Sequence, residues 1–289
     1  MKDHLIRATA LGGKVRAFAA LTTGIVGELQ SRHQASPVAI AALGRTLTAG
    51  AMMGAMLKGE ERLTLQIKGD GPVGQIVVDA NANGEVRGYV DNPRVDLPLK
   101  PNGKLDVSAA VGEGFLYVTK DLGLKKPYQG STPIVSGEIG DDFTYYFAKS
   151  EQTPSAVALG VLVDVDYRIK AAGGFILQLL PGLEEEEIEE MERRLATLNP
   201  VTTLLAQGAT LEQILSSVVE GVHVLESMDL VFRCRCSQER VEQTLISLGK
   251  DELNAILEED GKAEIVCHFC NETYSYSGNE LRSMIHKLT

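Results

Sequence analysis

Four cysteines are the residues of this sequence with the clearest chemical potential. Cys234 and Cys236 form a C-x-C pair, Cys267 and Cys270 form a C-x-x-C pair, and the 289-residue chain contains no other cysteine. Structural zinc sites take four tetrahedral ligands such as thiolates, and two short cysteine pairs brought together by an intervening fold supply them. The spacing therefore predicts one zinc ion held by Cys234, Cys236, Cys267 and Cys270.

Two other interpretations of the cysteines stay open. The four thiols could be buried structural groups, or the second pair could be the redox motif of a disulfide oxidoreductase. Such a motif needs a helix that starts at its first cysteine, because the helix dipole lowers the pKa of that thiol. The sequence predicts a strand before Cys267, and it does not predict a helix that starts at Cys267. His268 is a further candidate ligand, although four cysteines already complete the shell.

The region around the cysteines, residues 232–289, is too short to hold a large hydrophobic core. Zinc binding can supply about 10–16 kcal/mol of folding free energy to such a domain. We therefore expect its fold to depend on the metal. Oxidation of the thiolates to disulfides would remove the ligands and that folding energy together, which makes the four sulfurs a potential conformational switch.

Composition and charge are those of a globular protein of the cytosol. Hydrophobic residues make up 44% of the chain, and its formal net charge is −11. This charge disfavours nucleic acid and anionic membrane surfaces as main partners, since both attract clustered Lys and Arg. Residues 1–7 lack the apolar run of a signal peptide, and no uncharged apolar stretch reaches the ~18 residues of a membrane span. Clustered cysteines also fit a reducing cytoplasm.

The cysteines follow a larger N-terminal region. Residues 1–180 are predicted to form an α+β domain. Two strands joined at Gly12-Gly13 precede two helices, the second buried and starting at Ser36-Pro37. From Arg62 the apolar residues alternate as in a β-meander, with a turn at Asn83-Gly84. Further strands are predicted at 115–119, 155–163 and 167–179, and a helix is predicted at 141–149. We expect a linker over 181–231 and a zinc-binding domain over 232–289.

The predicted linker is helical and carries an apolar stripe. An acidic run from Glu184 opens an amphipathic helix, and Thr210 and Gln213 form a capping box for a later one. Leu211, Ile214 and Leu215 lie on one face of that later helix. Residues 183–220 must therefore pack against something that covers this face, and ordinary domain packing is the simplest interpretation.

Cofactor and catalytic motifs are not supported elsewhere in the chain. Residues 69–74 match G-x-G-x-x-G after a strand, but the sequence continues as a strand where a dinucleotide site needs a helix. The histidines outside the cysteine motif have no neighbours that suggest a triad or a metal cluster: His4, His33, His223 and His286. We therefore expect no enzyme activity. The methionines at 52, 53 and 56 are interpreted as core rather than as a binding surface.

The cysteine motifs carry a resemblance that extends through the chain. FRCRCSQER at 232–240, followed by CHFC at 267–270, resembles the heat-shock protein 33 family of redox-regulated chaperones. Similar landmarks occur in order before it: GDGP at 69–72, RGYV at 87–90, YQG at 128–130, YYF at 145–147 with SEQ at 150–152, and AAGG at 171–174. The resemblance covers essentially the whole chain.

The resemblance implies an ATP-independent holdase that is inactive while reduced and zinc-bound. Oxidants such as peroxide or hypochlorite would activate it by pairing Cys234 with Cys236 and Cys267 with Cys270, releasing zinc and unfolding the linker. Unfolded client proteins would be its partners, and we expect a homodimer in the oxidised form. The alternative is a zinc-ribbon module that contacts protein or RNA without chaperone activity, although the tail lacks a basic patch with interleaved aromatic residues.

Overall fold

The computed structural model describes residues 2–288. The chain divides into two compact units: the N-terminal unit ends at Arg233, and the C-terminal unit begins at Cys234. The fold is of the predicted α+β class. The three-part division into 1–180, 181–231 and 232–289 stays a prediction about function, and residues 181–231 lie inside the first compact unit.

The N-terminal unit combines strands and helices along its whole length. Its strands are β1 (His4–Ala10), β2 (Val15–Leu21), β3 (Arg62–Gly69), β4 (Gln75–Asn81), β5 (Glu85–Val90), β6 (Gly114–Asp121), β7 (Tyr128–Pro133), β8 (Ser155–Val163), β9 (Ile169–Leu179), β10 (His223–Asp229) and β11 (Val231–Phe232). Its α-helices are α1 (Thr23–His33), α2 (Pro37–Gly54), α3 (Val107–Val111), α4 (Gly140–Lys149), α5 (Glu185–Thr197), α6 (Val201–Ala206) and α7 (Leu211–Val218). The C-terminal unit contains α8 (Gln238–Ser247), α9 (Lys250–Glu259), β12 (Lys262–Val266), β13 (Thr273–Ser277) and α10 (Gly278–Lys287).

Helix α2 packs against strands of both sheets in the N-terminal unit. The sheets have the strand orders β10-β1-β2-β9-β8 and β11-β5-β4-β3-β6-β7. Ser36 caps α2 by accepting from the Ala39 N–H, and almost every α2 side chain is buried. Close approach is possible because α2 contains glycines: a Cβ on Gly44 would lie 2.7 Å from Val161 of β8, and one on Gly50 would lie 2.7 Å from Val78 of β4.

The central strands β2 and β9 of the five-stranded sheet are buried on both faces. Successive side chains of a strand point to opposite faces, so Phe18 and Ala20 of β2 join the core around α2, while Ala17 and Ala19 face the other way. We call this second face the docking face. Helices α5, α6 and α7, the linker helices, cover it with the predicted apolar stripe. The expectation that the stripe is covered by packing is confirmed.

Most elements predicted from sequence are present, including both early strands, α1, α2, α4 and the β-meander. In the glycine-rich segment 69–74, Gly69 ends β3 and residues 70–74 form the turn to β4, with Gly74 at φ 68°. Strand β4 follows where a dinucleotide site needs a helix, so the rejection of that motif is confirmed. The interpretation of the methionines as core holds for Met52 and Met53, which are fully buried.

The end of the predicted helical linker is different from expectation. Residues 223–229 form strand β10, which pairs antiparallel with β1, and residues 231–232 form β11, which pairs in parallel with β5. Leu230 between them is buried in the main core. Because both strands lie at sheet edges and expose most of their side chains, they carry little of the apolar alternation that identifies a strand.

Candidate metal centre

Two local structures carry the four cysteines, and both belong to the C-terminal unit. Cys234 and Cys236 lie in the segment before α8, where Ser237 caps the helix by accepting from the Arg240 N–H. This cap fixes where the extended segment stops and the helix starts. The first cysteine pair is thereby held immediately before a helix N-terminus.

The second pair lies in the turn between β12 and β13. The Cys267 N–H donates to the Glu272 carbonyl at 2.9 Å, and the Asn271 N–H donates back to the Cys267 carbonyl at 2.8 Å. Asn271 adopts φ 58°, a left-handed conformation that asparagine tolerates better than most residues. No helix starts at Cys267, as the sequence predicted, so the arrangement lacks the geometry of a thioredoxin-type motif.

The four sulfur atoms converge on one point. Cys236 Sγ lies 3.4 Å from Cys234 Sγ and 3.3 Å from Cys270 Sγ, and Cys234 Sγ lies 3.7 Å from Cys267 Sγ. All four sulfurs fall within 4.8 Å of one another. An ideal tetrahedron of thiolates with metal–sulfur bonds of ~2.3 Å has sulfurs ~3.8 Å apart. The donor set thus fits a tetrahedral soft metal ion such as zinc.

The environments of the four thiols differ. None of the four is in a disulfide. Burial tends to raise the pKa of the Cys234 thiol, but hydrogen bonds from the Cys236 backbone N–H and from neighbouring thiols outweigh it and lower that pKa to about 7. Burial raises the pKa of the Cys236 and Cys270 thiols. A thiol must lose its proton to become a metal ligand, and the hydrogen bonds around Cys234 favour its thiolate.

The predicted ligands are the ones that the structure brings together, and the histidines are not part of the group. His268 is exposed beside Cys267 and does not belong to the cluster that could hold a metal. The remaining histidines lie on β1, α1, β10 and α10, and none belongs to a group of described residues that could hold a metal. The four-cysteine shell therefore needs no nitrogen ligand.

Sequence reasoning missed one residue that contacts the centre. The hydroxyl of Tyr274 on β13 donates a hydrogen bond to Cys236 Sγ at 3.1 Å. This contact raises the pKa of Tyr274 because its hydrogen bond favours the neutral phenol. Two residues further along β13, the Tyr276 hydroxyl donates to the Gln238 carbonyl at 3.0 Å. A pair of tyrosines at spacing two after a C-x-x-C turn is the only signal that could have indicated these contacts.

The C-terminal unit has few apolar residues to support the centre. Six side chains form its buried core: Leu245, Leu253, Ala263, Tyr276, Leu281 and Met284. A core of this size contributes little net stability once the conformational entropy of the chain is subtracted. Residues 2–288 include no helix that is both long and apolar enough to cross a membrane.

These features define a class: an α+β protein with a compact appended unit that brings four thiols into tetrahedral spacing. The family model described as "Hsp33 protein" matches residues 3–277. Proteins named 33 kDa chaperonin from Bacillus cereus (strain AH187) and Bacillus anthracis (strain CDC 684 / NRRL 3495) are each 55% identical over 291 residues, with 100% of both chains covered. The crystal structure of the 33 kDa chaperonin (heat shock protein 33 homolog) from Thermotoga maritima superposes with a TM-score of 0.94 at 39% identity, covering 99% of each chain.

The chain belongs to the Hsp33 family. The resemblance noted in the sequence is therefore confirmed over nearly the whole chain, and the relatives are named for a chaperone rather than for an enzyme.

Proposed function

We propose that this protein is a redox-regulated, ATP-independent holdase that prevents unfolding proteins from aggregating under oxidative stress. The observation that carries the proposal is the convergence of four reduced thiols within 4.8 Å in a unit with only a small core of its own. Family membership supplies the chaperone activity. The regulation is inferred from the chemistry of the thiols.

In the reduced protein, Cys234, Cys236, Cys267 and Cys270 would hold one zinc ion as thiolates. Zinc bound there supplies a positive charge that stabilises four converging thiolates and adds folding free energy to the unit. Peroxide would then convert two thiolates and two protons into one disulfide and two waters, and a second peroxide would do the same for the other two thiolates. With the sulfurs joined in disulfides, the ligand set and its folding energy are lost together.

The pairing of Cys234 with Cys236 and of Cys267 with Cys270 rests on the family resemblance. The spacing of the sulfurs does not select it, because Cys236 Sγ lies as near to Cys270 Sγ, at 3.3 Å, as to Cys234 Sγ, at 3.4 Å. Peptide mapping of the oxidised protein under non-reducing conditions distinguishes the neighbour pairing from a crossed one.

Unfolding of the C-terminal unit would affect the linker helices through the chain segment that joins the two. Cys234 follows directly on β11 and β10, whose backbone hydrogen bonds fasten the segment to both sheets: Val231 N–H donates to the Gly84 carbonyl at 3.0 Å, and β10 pairs with β1. When the unit that follows them in the chain is unfolded, β10 and β11 can detach from the sheet edges. The population of undocked linker helices then rises. The uncovered docking face and the apolar side of α7 would then bind unfolded clients.

Much of the docking face is built from small residues. Such a face suits a segment that must undock and dock again. Gly160 and Gly173 pair across β8 and β9, and a Cβ on either would lie 2.6 Å from Thr202 or Leu205 of α6, respectively. Helix α6 therefore packs closely against this pair of glycines. We propose that unfolded clients bind this same surface. We further propose that the oxidised protein is a homodimer and that the protein is cytoplasmic. We propose no enzyme activity and no nucleic-acid or membrane partner.

Suppression of aggregation tests this function. Reduced, zinc-loaded protein and protein oxidised with peroxide are each mixed with a thermally unfolding reporter protein, without nucleotide, and light scattering is followed. We expect suppression by the oxidised form alone, reversed after reduction and zinc reloading. Equal suppression by both forms, or by neither, contradicts the proposal. A gel shift of RNA at physiological salt by the reduced form would favour the zinc-ribbon alternative.

A further inference from the structure

The hydroxyl of Tyr274 donates a hydrogen bond to one of the four sulfurs, Cys236 Sγ. Tyr274 lies on β13 opposite Ile265 of β12, so the hairpin that carries the second cysteine pair also presents a phenol to a sulfur of the first pair. Its donor–acceptor distance of 3.1 Å is short for a hydrogen bond to sulfur. Groups that hydrogen-bond to metal ligands commonly set the affinity and reactivity of a metal centre.

We propose that Tyr274 sets the oxidant threshold of the switch: its hydroxyl donates to Cys236 Sγ and lowers the reactivity of that sulfur towards peroxide. This inference rests on the proposed redox function. Tyr274 is a positioning residue, since it acts through Cys236 and does not itself react.

The reacting step shows why the hydrogen bond matters. A lone pair of Cys236 Sγ attacks one oxygen of hydrogen peroxide, the O–O bond breaks, and the departing hydroxide takes a proton to become water, leaving a sulfenic acid. A neighbouring thiolate then attacks this sulfur, the S–O bond breaks, a disulfide forms, and the second hydroxide leaves as water after taking a proton. Two thiolates lose two electrons, and the peroxide is reduced to two waters.

A phenol hydrogen bonded to the sulfur withdraws electron density from the lone pair that must attack the peroxide. A thiolate of lower basicity is a weaker nucleophile, so this contact slows the first step. Tyr274 is partly exposed, which leaves the neighbourhood of Cys236 reachable by a small oxidant. The hydrogen bond thus slows reaction where burial does not prevent it.

Tyr276, on the same strand, supplies the control variant for Tyr274. Tyr276 lies two residues from Tyr274 and therefore on the same face of β13, and its hydroxyl donates to a backbone carbonyl, that of Gln238, instead of to sulfur. Tyr276 is also buried in the small core. Tyr276→Phe removes a hydroxyl hydrogen bond from the same strand and loosens the unit at least as much as Tyr274→Phe, but it leaves the sulfur contact in place.

The test compares full-length, reduced, zinc-loaded wild type, Tyr274→Phe and Tyr276→Phe. Zinc release is followed with a chromogenic chelator at several peroxide concentrations, and a parallel run without peroxide measures loss of zinc to the chelator alone. Sulfenic acid at Cys236 is trapped with a dione reagent and measured by mass spectrometry. These readouts separate the reactivity of the sulfur from the stability of the unit.

We expect Tyr274→Phe to raise the second-order rate of peroxide-driven zinc release about three- to tenfold and to increase trapping at Cys236. Tyr276→Phe should keep the wild-type peroxide rate, whatever its effect on zinc loss to the chelator. An unchanged peroxide rate in Tyr274→Phe, or an equal rise in both variants, overturns the role of Tyr274 while leaving the redox function intact. A wild type that releases no zinc on oxidation overturns the redox function and this inference with it.

Discussion

The linker helices and the C-terminal unit are stabilised by different interactions. The linker helices pack a continuous apolar stripe on the docking face, and Leu211, Ile214, Leu215 and Val218 are all nearly fully buried. Among the described residues, the C-terminal unit has an apolar cluster of six buried side chains, and it brings four thiols together. One region contains no cysteine and is held by burial of apolar area, and the other is held by thiols that peroxide can alter. In the proposed function, a redox signal would therefore enter through the C-terminal unit and be expressed by the linker helices.

The largest expected effect is in the C-terminal unit. Cys267→Ser should abolish stoichiometric zinc binding and unfold this unit, because most of the ~10–16 kcal/mol supplied by a structural zinc site is lost. The N-terminal unit keeps its own core and should still unfold cooperatively. Metal analysis and calorimetry of the full chain check both expectations.

His268→Ala is the matched control for that variant, because His268 is exposed next to Cys267 and lies outside the four-sulfur cluster. It should bind zinc as the wild type does. Loss of zinc in the control, or loss of the N-terminal transition in Cys267→Ser, would break the distinction between the two regions.

A smaller effect is expected in the linker helices. Leu215→Glu should undock α7 without removing zinc, because burial of a leucine is worth ~1.5–3 kcal/mol and an unpaired buried charge costs more. The reduced variant should then suppress aggregation of a reporter protein without oxidant. Hydrogen exchange of α7 amides measures the undocking.

Ser216→Glu places the same charge on the exposed side of α7, one residue away, and should leave the reduced protein inactive. If Leu215→Glu undocks α7 by hydrogen exchange and yet suppresses no aggregation until it is oxidised, the docking face is not the surface that binds clients.

The smallest effect concerns the cap of α7. Thr210 accepts from the Gln213 N–H at 3.2 Å, and the Gln213 side chain accepts from the Thr210 N–H at 2.9 Å. Thr210→Ala should destabilise docked α7 by about 1 kcal/mol and speed its hydrogen exchange several-fold, whereas Thr210→Ser should restore the wild-type rate. Equal exchange rates in all three proteins would show that the cap does not stabilise docked α7.

Sequence predicted the parts that depend on local spacing. The four cysteines lie in two tight pairs, so they can be proposed as metal ligands without knowledge of the fold. The stripe at Leu211, Ile214 and Leu215 follows from helical periodicity alone. Strand β10 was missed because its order comes from pairing with β1, which lies more than two hundred residues earlier in the chain. Its mostly exposed side chains leave almost no pattern.

Contacts at the centre were harder to predict than the ligands. Tyr274 reaches Cys236 only because the β12–β13 register sets Tyr274 opposite Ile265 and turns its hydroxyl towards the first pair. Likewise, Gly160 and Gly173 appear in the sequence as ordinary strand glycines. Their role emerges from the close approach of α6.

The central claim is that oxidation at the sulfurs releases the linker helices, and one time course tests it most directly. Reduced, zinc-loaded protein is treated with peroxide, and zinc release, hydrogen exchange of α7 amides and suppression of reporter aggregation are measured on the same samples. We predict that α7 loses protection after zinc leaves and in step with the gain of activity, while amides of α2 stay protected. Oxidised, zinc-free protein that holds clients with α7 still fully protected would contradict the account.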